Sequence, residues 1–544
     1  MNGRVFVMLM LASASAMADE PWADVDPVAP PIRYSRGDFG FRPGAEYRAQ
    51  YLLVEPISLN TETARNVSII QQRLRLDATA DFQDKIRIVF STDVLDGDLW
   101  GDNGTFGGTP SSNSGTAIDA KNPNDTRPCI GLQNGQTNAL SPNAYGITLC
   151  PITPFTVRRL YGEVILPFGV LRVGRQPTLD GMGVFATDGD GRHNRFGIAG
   201  TGNYVDRILF ATKPLEAFKR PAQRDLSTTR GFFVGVAYDQ LVTGDPQAFG
   251  DDVHQLDVGV RLLEPRLGPL RDVYANAYLS HRWELSVSSV TGIGARVYAR
   301  AGNVRFGVDA AMNVGSTSEI SEAYQKITND PVVNQPILQG GARATIRYDR
   351  PKWSLYLEGD YASGSDDPTS RATLSQFTWS PDTNVGLLLF KQVLAFQTGR
   401  VAAAGNVLLS RLGATTFPTQ ALDTQGALTN AMVIFPQADF RPLPNLLIRP
   451  GVMVAWTAVP LINPIASLQN HTSVNIKDDE VNYAGGKPGR FYGTELDLRV
   501  QYRYLEHFIV DLEGAVLLPG DALQDVDGYA VPSWLLQTRT TFFF

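Results

Sequence analysis

Several stretches of this chain change chemistry at every residue. Leu74, Leu76, Ala78, Ala80 and Phe82 alternate with Arg73, Arg75, Asp77, Thr79 and Asp81. Leu496, Leu498, Val500, Tyr502 and Tyr504 alternate with Glu495, Asp497, Arg499, Gln501 and Arg503. Ala344, Ile346 and Tyr348 face away from Arg343, Thr345 and Arg347, and Leu355, Leu357 and Tyr361 from Tyr356, Glu358 and Asp360. A period of two is the signature of a β-strand. In a soluble sandwich the polar face meets bulk water and carries mixed small residues. Here that face is repeatedly Arg, Asp and Glu on long strands, which fits a wet, enclosed lumen with the apolar face turned to lipid. About 9–11 residues suffice for such a strand to span a bilayer.

Connection lengths give an independent test, because a bacterial barrel alternates short turns with long loops. Strands are expected near 44–56, 66–81, 85–95, 155–166 and 169–176. Tight turns are expected at 82–84, 167–169, 301–303, 349–352, 442–445 and 505–507, and long connections at 96–154, 177–201, 315–337, 364–430, 458–489 and 518–532. Segment 213–229 reads as a longer connection on the short-turn side, and 280–292 gives no clear turn. The count comes to about eighteen strands. The expected fold is all-β, a single transmembrane antiparallel up-and-down β-barrel with both ends on the periplasmic side.

The termini agree. Asn2-Gly3-Arg4, the apolar run Val5–Leu11 and Ala16-Met17-Ala18 have the form of a cleaved leader. Residues 1–18 are therefore expected to be a signal peptide, 19–40 a Pro-rich periplasmic lead-in and 41–544 the barrel. The last strand ends on Phe544, with Leu536, Thr538, Thr540 and Phe542 on the same face; a terminal aromatic resembles the assembly signal of outer-membrane barrels. Apart from the leader, no apolar run is long enough for a spanning helix. The formal net charge of -7 argues against nucleic acid as a partner. Cys129 and Cys150, the two cysteines, share one Gly/Asn/Pro-rich stretch, and a local disulfide is the simplest reading for an exported chain.

The constellation that recurs is basic. Alternation places Arg73, Arg75, Arg87, Arg159, Arg296, Arg300, Arg305, Arg343, Arg347, Arg499, Arg503 and Arg539 toward the lumen. Guanidiniums in a narrow pore raise the local anion concentration and fork onto carboxylates. Acids on the same faces, among them Asp77, Asp81, Glu163, Glu358, Asp360, Glu495, Asp497, Asp511 and Glu513, are expected to pair with about two-thirds of them. The unpaired remainder would mark a conduction path. Asp188 and Asp190 in Asp188-Gly189-Asp190-Gly191 are weak calcium candidates; a plain turn is the first reading, since calcium needs many more oxygen ligands. The five histidines stand at no metal-ligand spacing, and no nucleophile elbow or phosphate loop occurs, so neither enzyme activity nor a cofactor is expected. Within 364–430, the apolar segment 385–404 reads equally well as a plug folded toward the lumen or as a loop packed on the rim.

Four motifs then carry a family resemblance. Leu171-Arg172-Val173-Gly174-Arg175-Gln176, Glu358-Gly359-Asp360-Tyr361-Ala362-Ser363-Gly364, Gly493-Thr494-Glu495-Leu496-Asp497 and Pro519-Gly520-Asp521 resemble, in order and rough spacing, the alginate-export family of outer-membrane barrels. The resemblance implies an eighteen-stranded monomer whose Arg-rich lumen passes an anionic polysaccharide. The Cys129–Cys150 loop and segment 385–404 have no place in that pattern. The expected function is a passive outer-membrane channel for anionic solutes or an anionic polysaccharide. A general small-solute porin, or a structural barrel of a periplasmic export complex, stands as the alternative. The expected partners are outer-membrane lipid, the barrel-assembly machinery and, on the alternative, a periplasmic polysaccharide-export complex.

Overall fold

The computed structural model describes residues 33–60, 66–101, 153–177, 182–187, 189, 191, 193–198, 202–225, 227–243, 254–284, 287–413 and 422–544. The expected signal peptide, Cys129, Cys150, Asp188 and Asp190 lie outside the described residues.

The alternating stretches form nineteen strands. They are β1 Tyr34–Arg36, β2 Phe39–Glu55, β3 Val67–Phe82, β4 Ile86–Gly101, β5 Thr153–Leu166, β6 Gly169–Pro177 and β7 Tyr204–Thr212. After a short helix α1, Pro214–Ala217, come β8 Gly231–Thr243, β9 His254–Leu267, β10 Leu270–Glu284, β11 Ser288–Ala301 and β12 Val304–Thr317. Helix α2, Glu319–Thr328, precedes β13 Gln335–Asp349 and β14 Trp353–Ala362; helix α3, Ala395–Arg411, precedes β15 Ala431–Leu443 and β16 Leu446–Trp456. Helix α4, Pro464–Asn470, precedes β17 Phe491–Tyr504, β18 Phe508–Pro519 and β19 Ser533–Phe543.

Each strand from β2 to β19 pairs antiparallel with its sequence neighbours. The sheet closes where β19 pairs β2, with Trp534 opposite Glu55 and Thr541 opposite Arg48. The cylinder therefore has eighteen strands, and closure removes the exposed edges that an open sheet would leave in lipid. The short β1 folds back on the start of β2 through Gly37, which takes φ +60°. The seam continues to the last residue, where the Phe544 N–H donates to the Ala45 carbonyl at 2.9 Å and the Ala45 N–H to the Phe544 carbonyl at 3.1 Å.

The expected turns stand where the alternation put them. Strand β2 starts at Phe39, somewhat earlier than expected, and β4 runs on to Gly101. The unclear region 280–292 holds the end of β10 and the start of β11, which are separated by only three residues in the sequence, and this is why no loop signal was legible there.

The outward side chains are apolar and exposed, as a lipid-facing surface requires: Ile88 is 55% exposed, Leu355 53% and Ile434 53%. Aromatic rings gather toward the ends of this belt, as in the Tyr47–Phe542 and Phe508–Phe542 pairs near the short turns. Among the described residues no helix is long and apolar enough to cross a membrane.

Segment 385–404 divides between its two readings. Val385 to Phe390 are buried, and the π-helical turn Leu389–Leu394 packs into a core formed with inward residues of the wall, including Leu52, Val54, Val433, Phe435, Met453 and Leu517. Helix α3 carries the chain out of that core. There Val401 and Leu409 pack with Tyr324 of α2 and with Ile465 and Leu468 of α4 in a second cluster on the long-loop end.

Candidate functional site: a basic belt beneath a lumenal insertion

Asp439 points inward from β15, and four guanidiniums converge on it. Arg449 Nε stands 2.6 Å from Oδ1, Arg195 Nη2 2.8 Å from Oδ1, Arg347 Nη2 3.4 Å and Arg441 Nη1 3.7 Å from Oδ2. Ser354 Oγ adds a hydrogen bond of 3.3 Å. The register makes this possible, because Ser354 and Asp439 are paired residues of β14 and β15.

The cluster extends around the wall in both directions. Asp349 holds Arg347 and Arg305, each at 2.7 Å. On the other side Arg449 and Arg499 both donate to the Arg195 carbonyl, at 2.7 and 2.9 Å. Arg499 and Arg539 share Asp511 and Glu513. Among the described residues, the ion pairs of Arg195, Arg305, Arg347, Arg441, Arg449, Arg499 and Arg539 in this belt are made with Asp349, Asp439, Asp511 and Glu513, and Arg195 also lies in the field of Glu358. The positive surplus sits inside a shell with low-dielectric walls, where it attracts anions more strongly than it would on an open surface. Arg305 and Arg441, each 32% exposed, are its most accessible members.

Two chain segments descend from the long-loop end onto this wall. The described residues between 182 and 198 are held by the Met182 N–H on Asp309 at 3.1 Å, by Arg343 on the Met182 carbonyl at 3.1 Å and by the Gly197 N–H on Glu513 at 2.8 Å. In the second segment, the N–H groups of Leu387, Leu388 and Leu389 all donate to the Glu495 carboxylate, at 2.7, 2.8 and 2.6 Å. Gly386 makes this approach possible. It takes φ +71°, and a Cβ there would lie 2.7 Å from Glu495 Oε1. Successive N–H groups aimed at one oxyanion form a nest, which satisfies a buried carboxylate without a cation.

The segments also join each other. Asn194 donates to the Asp382 carbonyl at 2.8 Å, Asn384 donates to Asn194 Oδ1 at 2.8 Å and to the Phe196 carbonyl at 3.1 Å, and Phe196 stacks on Phe435 at 5.5 Å. Arg195 is thereby delivered into the belt, with its guanidinium 4.1 Å from the Tyr356 ring centroid.

All twelve expected arginines lie on inward-facing positions, and nine of them form ion pairs among the described residues. Arg73 pairs with Glu46, Arg75 with Asp93, Arg87 with Glu163, Arg296 with Asp309 and Arg343 with Glu358 and Asp360. Arg305, Arg347, Arg499 and Arg539 belong to the belt. Arg300 donates to the Gly302 carbonyl at the turn. Arg159 stands opposite Ser91 beside a bulge, and Arg503 opposite Ile509. An isolated buried charge is costly, and nine of the twelve guanidiniums have an acid partner among the described residues.

Arg195, Arg441, Arg449 and the hub Asp439 were not recognised in the sequence. Arg449 stands in Leu446-Leu447-Ile448-Arg449-Pro450, where inward apolar residues hide the period of two. Arg195 belongs to a segment with no period at all. Among the described residues no group of three or more His, Cys, Asp or Glu is placed to hold a metal. The surface acid Asp479 instead caps its own loop, accepting from the Thr472 and Ser473 N–H groups at 2.9 and 2.8 Å.

No protein-family profile and no curated protein matches the chain. Solved structures do align along most of its length. OpdK, an outer membrane protein of Pseudomonas aeruginosa, has 9% identity and a TM-score of 0.43 over 92% of this chain and 98% of that one. OccAB1 of Acinetobacter baumannii has 10% identity and a TM-score of 0.47 over 96% and 99%. OccK5 (OpdH) of Pseudomonas aeruginosa has 11% identity and a TM-score of 0.44 over 93% and 98%. At these scores they add nothing to the barrel read directly from the strand pairing.

Proposed function

We propose that this chain is an outer-membrane channel through which small anionic solutes pass by passive diffusion. The closed barrel and its apolar outer belt support the membrane location, and the loop asymmetry supports long loops facing the cell exterior. The single observation that carries the anionic preference is the belt around Asp439, where, among the described residues, seven guanidiniums are ion-paired to four carboxylates. On this reading the chain works alone in lipid, is inserted by the barrel-assembly machinery through its aromatic terminus, and performs no covalent step.

The insertion favours small solutes over a polysaccharide. Segments 182–198 and 377–396 pack against the inner wall of the barrel, and a polymer needs a continuous wide path past them. Liposome swelling tests the size class. Reconstituted protein should admit small organic anions and exclude oligosaccharide acids of several residues. Equal rates for both would return the polysaccharide reading to first place.

A further inference from the structure

On the long-loop end, beside the core cluster to which Leu59 and Phe396 belong, a cavity of about 320 Å³ lies between α3, α4 and the loops that follow β2 and β18. Its size is at the lower end of the range for small-molecule sites. Leu59, Phe396, Val401 and Ile465 give it apolar walls. Polar residues share the lining, among them Asn60, Asn463 and Gln469, and two others are placed to meet a ligand. Gln397 is only 7% exposed, lines the cavity, and its Oε1 has no hydrogen-bond partner among the described residues. A buried amide oxygen left unpaired costs about 1–3 kcal/mol, a cost that a ligand donor would remove. One helical step on, Arg400 lines the same cavity with its guanidinium 5.3 Å from the Phe396 ring centroid. That stacking presents a flat cation of the shape that matches a carboxylate.

We propose that this cavity is a binding site for a small organic monoanion that carries a hydrogen-bond donor beside its carboxylate and an apolar body. The carboxylate would meet Arg400, the donor Gln397, and the body the walls. Asp525 at the rim, whose Oδ1 already accepts from the Asp527 and Tyr529 N–H groups, disfavours a second negative charge on the ligand. The site shares no residue with the belt around Asp439 and does not depend on conduction.

The test uses the full-length folded protein in detergent and three probes. Mandelate carries the acid, the hydroxyl and the ring; phenylacetate lacks the hydroxyl; mandelamide lacks the charge. Isothermal titration should show mandelate binding about tenfold more tightly than either control, the value of one well-placed polar contact. Gln397→Leu should bring mandelate down to the level of phenylacetate, and Arg400→Gln to the level of mandelamide. Ala404→Phe, which fills the cavity from α3, should abolish binding. Heat-modifiable migration of each variant confirms the barrel, and bilayer conductance should equal that of the parent. Absence of mandelate binding to the parent would overturn the proposal. So would mandelate binding that survives Ala404→Phe, which would locate the affinity in the lumen, or equal affinity for all three probes. A conducting parent that binds no probe sinks this site and leaves the channel reading intact. A binding parent that does not conduct does the reverse.

Discussion

The backbone N–H of Leu388 lies 2.8 Å from Oε1 of Glu495, joining a segment that comes down from a long loop to the lumen face of β17. Its neighbours Leu387 and Leu389 share the same carboxylate. Replacing Glu495 by Ala strips three buried donors of their acceptor at once and should weaken docking of the insertion by about 3 kcal/mol or more. The barrel wall is untouched, so the variant should still assemble. Its single-channel traces should show larger and noisier conductance than the parent. Unchanged traces would mean that the insertion is held by its apolar packing alone.

Asp439 is the counter-charge for four arginines, so its replacement separates stability from selectivity. Asp439→Asn keeps the shape and removes one negative charge from the belt. It should lower thermal stability by about 3–5 kcal/mol, since it leaves buried guanidiniums without their acid. The surviving folded channels should be more anion-selective than the parent. Loss of stability together with a shift toward cations would contradict the charge accounting of the belt.

Most of the wall was legible in the sequence because lipid on one side and water on the other impose a strict period of two. The Leu496 to Tyr504 stretch shows this without ambiguity. The site was legible only in part. Arg499 and Arg539 sit in clean alternation, whereas Arg449 and Asp439 lie in strands whose upper inward positions are apolar because the insertion packs there. Once the lumen is filled, its face stops looking like a lumen. Arg195 reaches the belt on an irregular segment, and nothing local indicates that a loop will turn inward.

The surface loop at 471–479 offers a pH test. Hydrogen bonds from the Ser473 and Thr472 N–H groups hold the Asp479 carboxyl well below the usual carboxylate range. With the folded pKa depressed, its stabilising contribution is fully present above the unfolded value of about 4 and is lost only as pH falls through the folded value. Limited proteolysis should find this loop as protected at pH 5 as at pH 7. Asp479→Ala should expose it at both. Parent protein cut readily at pH 5 would contradict this assignment.

Removal of Phe544 deletes the last hydrogen-bonded pair of the seam with Ala45 and the terminal aromatic together. The truncated chain should give a lower yield of heat-modifiable barrel than the parent, with the same conductance per assembled channel. A full yield would show that neither the terminal pair nor the ring matters for assembly.

The central claim is that the surplus of guanidiniums over carboxylates around Asp439 sets the pore's charge preference, despite a formal net charge of -7 for the whole chain. The reversal potential of the reconstituted channel under a potassium chloride gradient measures this directly. The parent should prefer chloride over potassium by about threefold or more. Arg305 and Arg441 are the exposed members of the belt, so Ser at both positions should move the ratio toward one while the barrel still folds. A parent channel that prefers potassium, or a double variant with the parent's selectivity, would contradict the account.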